Sequence, residues 1–246
     1  IHAYTPAASI VDRMQDLEFE LAAWVPMQVY EALASDHAKR LNNIGHLLIG
    51  GAPLSAPARL QLMDFKCQAY LTYGMTETIS HVAILRIDGS ENPRYQALPG
   101  VSLEQDSRGC LVSHAPYLLS PIVTNDLVDM QAPNQFHWRG RWDNVINTGG
   151  VKVIPEALEA KLAPWLQEHN FSGDFFVSGL PHARKGQEVA LFLEGAPEKE
   201  LQLDAGFRKL LTAYEIPRQI IWVESFVRTE SGKTNRTQTI ALYSGK

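Results

Sequence analysis

The chain has 246 residues, with 22 Lys and Arg against 27 Asp and Glu, and 45% of it is hydrophobic. A net charge of −5 leaves no electrostatic footprint for general nucleic-acid or membrane-surface binding, so any phosphate-bearing ligand has to be held by local geometry. Two cysteines, Cys67 and Cys110, make neither a disulfide framework nor a metal motif and suit a reducing cytoplasm; no apolar run approaches the roughly 18 residues that span a bilayer, and no signal peptide is expected.

In chain order, residues 8–41 are predicted mainly helical, from apolar residues spaced by three and four, with a break at Pro26. HLLIGG (46–51) reads as a short buried strand running into a glycine turn, PARLQLMDF (57–65) as a helix, and CQAYLTYGMTET (67–78) as a strand ending in a polar loop. Between residues 82 and 128 short strands alternate with Gly, Pro and Asp turns. The character then changes. RGRWDNVINTGG (139–150) is polar and glycine-rich, VKV (151–153) is a short strand, and Pro155 sits at the first position of a helix, PEALEAKLAPWL, where a missing N–H costs nothing. Two strands follow, DFFVSGL (174–180) and EVALFLE (188–194), then a helix around 199–211, a strand QIIWV (219–223) and a tail SGKTNR (231–236). This second half is a small α+β pattern of about 100 residues, enough for a domain of its own. The boundary is placed near Arg141 and Asp143, giving units 1–142 and 143–246.

Several short segments have the right chemistry for a nucleotide, although each has a plainer reading. GGAP (50–53) lets a planar ring lie against bare backbone, or is an ordinary loop. YGMTET (73–78) offers an aromatic face, hydroxyls and a carboxylate. These suit base stacking, a phosphate hydrogen bond and Mg²⁺, which favours a carboxylate together with phosphate oxygens; alone, the segment is also a capped helix start. Asp126 in TNDLVDM has two acceptor oxygens for the two hydroxyls of a ribose, and is equally a turn aspartate. Arg141 and Asp143 read as a sugar or phosphate contact and a hinge, or as a surface ion pair. Gly149 and Gly150 line a narrow passage or form a hairpin turn. Lys233 reaches a phosphate from a mobile loop or is simply solvated.

Their order decides between the readings. GGAP, YGMTET, TND, GRWDNVINTGGVKVIPEALE (140–159) and SGKTNR, in this sequence, resemble the adenylate-forming superfamily of acyl-CoA synthetases, adenylation domains and luciferases, over essentially the whole chain from Val25 to Arg236. The resemblance implies an α/β fold: the C-terminal part of a large nucleotide- and acyl-binding domain, followed by a small mobile α+β domain. It implies that Gly50, Gly51, Ala52 and Tyr73 form the adenine wall. Thr76 is matched to an α-phosphate contact, Glu77 to a Mg²⁺-associated glutamate, Asp126 to the ribose-binding aspartate and Arg141 to an arginine near the ribose. Asp143 falls on the hinge, Gly149 and Gly150 on the loop beside the pantetheine path, and Lys233 on the lysine that bridges carboxylate and phosphate. The family's Thr-Gly-Asp is Thr124-Asn125-Asp126 here. Its Ser/Thr/Gly-rich phosphate loop is not found, and is expected in sequence upstream of Ile1.

The implied activity is an ATP-dependent acid–CoA ligase acting through an acyl-adenylate, with ATP, Mg²⁺ and coenzyme A as cofactors. The implied partner is a small carboxylic acid, without nucleic acid or membrane; a homo-oligomer is left open. YGMTETISH (73–81) and the 140–159 stretch are similar to bacterial o-succinylbenzoate–CoA ligases of menaquinone biosynthesis. A dicarboxylate calls for polar or cationic partners in the acyl pocket, and His81 and His46 stand close to the relevant motifs, although each is equally a structural histidine. The alternatives are another acyl- or aryl-CoA synthetase, a standalone amino-acid adenylation domain, and a catalytically inactive piece of such an enzyme.

Overall fold

The computed structural model describes residues 10–90, 93–171, 173–196, 204–229 and 233–244. The chain divides into two compact units, one made of the chain up to Thr124 with Val128–Trp138, the other of Asn125–Leu127 with the chain from Arg139 onward. Among the described residues no helix is long and apolar enough to cross a membrane.

The first unit opens with α1 (Ile10–Met14), closed by Gln15 at φ 51°, and then β1 (Phe19–Trp24), α2 (Pro26–Ala34), a 3-10 turn (Ala38–Asn43), β2 (Ile44–Ile49), α3 (Ala56–Leu62) and β3 (Gln68–Gly74). After a 3-10 turn at Thr76–Thr78 come β4 (His81–Arg86), β5 (Tyr95–Ala97), β6 (Ser102–Gln105), β7 (Cys110–His114), β8 (Ile122–Ala132) and β9 (Gln135–Arg141). They form a nine-stranded sheet in the order β1-β2-β3-β4-β5-β9-β8-β7-β6.

The helix expected across residues 8–41 is corrected here: its middle is a strand. FELAAW pairs in parallel with β2, Leu21 opposite His46 and Trp24 opposite Ile49, so ladder bonds and burial of Trp24 outweigh good helix formers. Pro26 does not break a helix; it starts one at the position that has no N–H to satisfy. The core beneath β1, β2 and β3 is Val29, Ala32, Leu41, Leu47, Ile49, Leu62 and Leu71, all buried, while Ala83, Leu103, Leu111, Val128 and Phe136 fill a second cluster.

The second unit holds a 3-10 turn (Trp142–Asn144), β10 (Ile146–Thr148), β11 (Val151–Val153), α4 (Pro155–Glu168), β12 (Phe175–His182), β13 (Gly186–Glu194), α5 (Ala205–Arg208), β14 (Gln219–Val223) and α6 (Arg236–Ser244). The sheet runs β11-β10-β13-β12, with β14 parallel to β13. β13 is buried on both faces, which is why it reads as a nearly unbroken apolar run. Leu191 and Leu193 face Leu158, Leu162 and Trp165 of α4, whereas Phe192 stacks on Phe176 at 4.7 Å between ring centroids. The helix expected at 199–211 narrows to α5, its beginning lying outside the described residues; the tail expected at 231–236 begins outside the described residues, and α6 starts at its last residue, Arg236.

Asp204 joins α5 to α4. Its carboxylate accepts the Trp165 indole N–H and the Phe207 amide, each at 2.8 Å, and these bonds hold its carboxyl below the usual aspartate range. A depressed folded-state value means the stabilisation is present above the unfolded value of roughly 3.9 and is lost as pH falls through the folded one. Asp204→Asn keeps a cap acceptor but removes the titration. Thermal melts of wild type and variant between about pH 5 and pH 2 should therefore converge as the pH drops, the variant losing less melting temperature over that window.

Candidate active site

In the first unit the expected residues gather at one end of the parallel strands. β2 runs out at Ile49, and Gly50 donates its N–H to Trp24 O at 3.0 Å. Gly50 lies against Thr72 of β3, whose hydroxyl donates to Ile49 O at 3.3 Å; a Cβ on Gly50 would stand 2.5 Å from Thr72 Oγ1, so only glycine lets these strands end side by side. Gly51 turns the chain at φ +89°, a conformation that costs side-chain-bearing residues energy. Tyr73, the next residue on β3, is half-buried, with its ring edge-on to Phe136 at 5.2 Å and to Tyr95 at 5.7 Å.

The 3-10 turn after β3 presents Thr76 and Glu77 to solvent, while Thr78 is buried and locks the turn. The Thr78 hydroxyl accepts Met75 N–H at 2.9 Å and lies 2.7 Å from Ser80 O. Ile79 leaves the turn at φ 64° with 73% of its surface exposed, an uncommon conformation for a β-branched residue and one that stores strain. The two candidate histidines separate. His81 pairs with Gly74 beside this turn, whereas His46 sits four residues before Gly50, roughly 13 Å back along an extended strand, with its ring against Tyr70.

In the second unit Asp126, Arg141 and Asp143 come together. Asp126 is only 6% exposed, and Arg141 Nη1 lies 3.9 Å from its carboxylate while Nη2 lies 3.0 Å from Asp143. Asn125 donates its amide to both Asp143 oxygens at 3.1 Å. Gly149 and Gly150 form the β10–β11 turn at φ +60° and +84°, and a Cβ on either would meet nothing within 4 Å. Lys233 is exposed on a short hairpin: its carbonyl accepts Thr229 N–H at 2.8 Å, and Arg228 bridges Thr234.

Sequence reasoning missed the polar residues that brace this hairpin. Arg228 lies 2.8 Å from Asp174 and 2.5 Å from Glu194, and Arg236 pairs with Glu159 at 2.9 Å. Two glutamates three apart in PEALE, on one face of the first turns of α4, were the available signal for the second pair. Burial pushes the Glu159 carboxyl up, opposed by the Arg236 charge and the Val177 amide. Among the described residues no three His, Cys, Asp or Glu cluster to hold a metal.

No protein-family profile matches the chain. Over 97% of its length it aligns, at 33% identity, with an acyl-CoA synthetase (AMP-forming)/AMP-acid ligase II-like protein of Dyadobacter fermentans, covering 69% of that protein with a TM-score of 0.56. The chain belongs to the adenylate-forming acyl-CoA synthetase superfamily. Its large mixed sheet is part of the superfamily's N-terminal domain. A medium/long-chain-fatty-acid–CoA/3-oxocholest-4-en-26-oate–CoA ligase of Mycolicibacterium smegmatis is 32% identical over 114 residues, 45% of this chain and 20% of that enzyme. The 2-succinylbenzoate–CoA ligase of Lactococcus lactis is 24% identical over 217 residues, 80% of this chain and 47% of that enzyme. The chain thus aligns with less than half the length of either ligase.

The Gly50–Thr72 approach is open to direct test. Gly50→Ala forces the Thr72 hydroxyl off Ile49 O and should cost roughly 1–3 kcal/mol in urea unfolding, as overpacking does. Adding Thr72→Ala, whose nearest remaining atom would be 3.9 Å away, should return most of it. A double variant as unstable as Gly50→Ala alone would place the strain elsewhere.

Proposed function

We propose that the protein to which this chain belongs is an ATP-dependent acid–CoA ligase working through an acyl-adenylate. The reading is carried by Asp126, a buried carboxylate held beside Arg141 and Asp143 in a chain whose relatives are AMP-forming ligases. In this reading Asp126 accepts the ribose hydroxyls and Arg141 lies near them. The bare backbone of Gly50, Gly51 and Ala52, with Tyr73, walls the adenine, and Thr76 donates to the α-phosphate. Glu77 would hold Mg²⁺, which when bound neutralises phosphate charge.

A carboxylate is a poor acyl donor because its leaving group would be oxide. A carboxylate oxygen of the acid bonds to the α-phosphorus of ATP and pyrophosphate leaves; Lys233, bridging carboxylate and phosphate, steadies the charge that builds in between. Residues after Asp143 then swing as a mobile domain. Lys233 withdraws and the Gly149-Gly150 turn takes its place, its open surroundings leaving room for the pantetheine arm. The coenzyme A thiol loses its proton, its sulfur bonds to the acyl carbon, and AMP leaves.

The acid we propose is 2-succinylbenzoate. The support is the motif wording, the 217-residue alignment with the lactococcal ligase, and His81 beside the Thr76–Thr78 turn as a polar partner for a second carboxylate. A fatty or steroid acid is the second reading, favoured by the higher identity to the Mycolicibacterium enzyme. With the full-length protein, kcat/KM for 2-succinylbenzoate should exceed that for benzoate and octanoate; comparable values for octanoate would favour the second reading.

Two further measurements bear on the roles. Asp126→Ala removes a charged acceptor worth roughly 1.5–3 kcal/mol, so ATP affinity should fall about ten- to a hundredfold in a folded variant, and unchanged affinity would remove Asp126 from the ribose site. Single-turnover rates for the two half-reactions should separate Lys233 from Gly150. Lys233→Ala should slow acyl-adenylate formation by about a hundred- to a thousandfold yet turn pre-made acyl-adenylate into thioester at near-normal rate. Gly150→Val should do the reverse. Equal slowing of both steps by Lys233→Ala would make the lysine structural.

A further inference from the structure

The Lys233 hairpin runs directly into α6, whose first residue, Arg236, is fastened to α4. Its Nη1 lies 2.9 Å from Glu159 Oε1 and 3.7 Å from Glu156 Oε1, and donates to Val177 O at 3.3 Å; its Nη2 donates to Glu159 Oε2 at 2.9 Å. The guanidinium also lies over the Phe176 ring, 5.6 Å from its centroid.

Glu156 has a second set of partners, and its Oε1 is shared between the two. Its Oε1 accepts the Asn144 side-chain amide at 2.5 Å, and its Oε2 accepts the Arg141 backbone N–H at 3.4 Å. Gly140, at φ +151°, makes room for this: a Cβ there would run into the Glu156 carboxylate and stand 2.6 Å from Ile154 Cγ2. With its side chain only 10% exposed, Glu156 thus touches both the chain segment around Asp143 and the arginine three residues past Lys233.

We propose that Glu156 is a positioning residue that ties the segment around Asp143 to the root of the Lys233 hairpin, so that Lys233 meets the reacting phosphate at a fixed angle. The inference rests on the reading of Lys233 as the adenylation lysine. The strand that enters the hairpin is already pinned by Arg228 to Asp174 and Glu194. Its root is held through Arg236, and Glu156 is the group that joins that root to residues 141–144. Without it, rotation at Asp143 reaches the hairpin through a slack connection. The Gly149-Gly150 turn is reached from Asn144 through β10 and does not pass through Arg236, so the thioester step does not depend on this tie.

The test uses the full-length protein and single-turnover acyl-adenylate formation. Glu156→Ala should slow that step about ten- to a hundredfold, the scale of a small misplacement of a reacting group. The KM for ATP and acid, and thioester formation from pre-made acyl-adenylate, should stay at wild-type values. Glu156→Gln, which keeps an acceptor for Asn144, should recover part of the rate, and Asn144→Ala should lose part of it from the other side. These two variants carry the test should Glu156→Ala fail to melt cooperatively. In a Lys233→Ala background, Glu156→Ala should cost nothing more, because its effect is exerted through that lysine. An additive loss in the double variant, a raised KM, or equal slowing of both half-reactions would overturn the proposal. If Lys233→Ala itself left adenylation intact, the reading of the lysine would fall instead, and that result would be visible before any Glu156 variant was made.

Discussion

The C-terminal unit is organised around one half-buried ion pair. Glu159 projects from α4 into a site where burial alone would favour the protonated carboxyl, and Arg236 from the start of α6 meets it with two bonds while the Val177 amide supplies a third. Leaving either charge without the other would be destabilising, because a partly desolvated ion has little water to replace its partner. That penalty fixes three elements at once: α4, β12 and α6. It is one of the two anchors of the segment that presents Lys233, Arg228 with Asp174 and Glu194 holding the segment's near side and Arg236 its far side.

The sequence was most legible where a local rule and the tertiary structure agree. Pro155 at the head of α4, the glycine turn after β2 and the apolar run of β13 all follow from backbone or burial constraints that act within a few residues. It was least legible at β1. Phe19, Ala22 and Trp24 are turned toward the core in a spacing that suits a helix as well as a strand, and the choice is made by β2, a partner some 25 residues away, which no local pattern encodes.

The candidate site shows the same division. Most of the residues that the sequence singles out lie at strand ends and turns, where glycine and threonine carry recognisable backbone chemistry; Asp126, inside β8, does not. Those missed, Asn125, Glu156, Arg228 and Arg236, act through side-chain pairs between elements far apart in sequence. Asn125 is instructive: as a replacement for the family's glycine it reads as a small departure, yet its amide spans both oxygens of Asp143. A position described only by what it lacks says nothing about what the new side chain will reach.

The glycines separate into two kinds, and the difference bears on function. At Gly50 and Gly140 the surroundings forbid a side chain: Thr72 stands in the way at one, Glu156 and Ile154 at the other. Their identity is explained by the fold. Gly149 and Gly150 face open space, and the fold asks of them only positive φ in a two-residue turn, a demand that Asn-Gly meets as well. Packing within the C-terminal unit therefore gives no reason for a bare backbone at both positions. A ligand that passes close to that backbone would supply one, as the pantetheine arm does in the proposed reading.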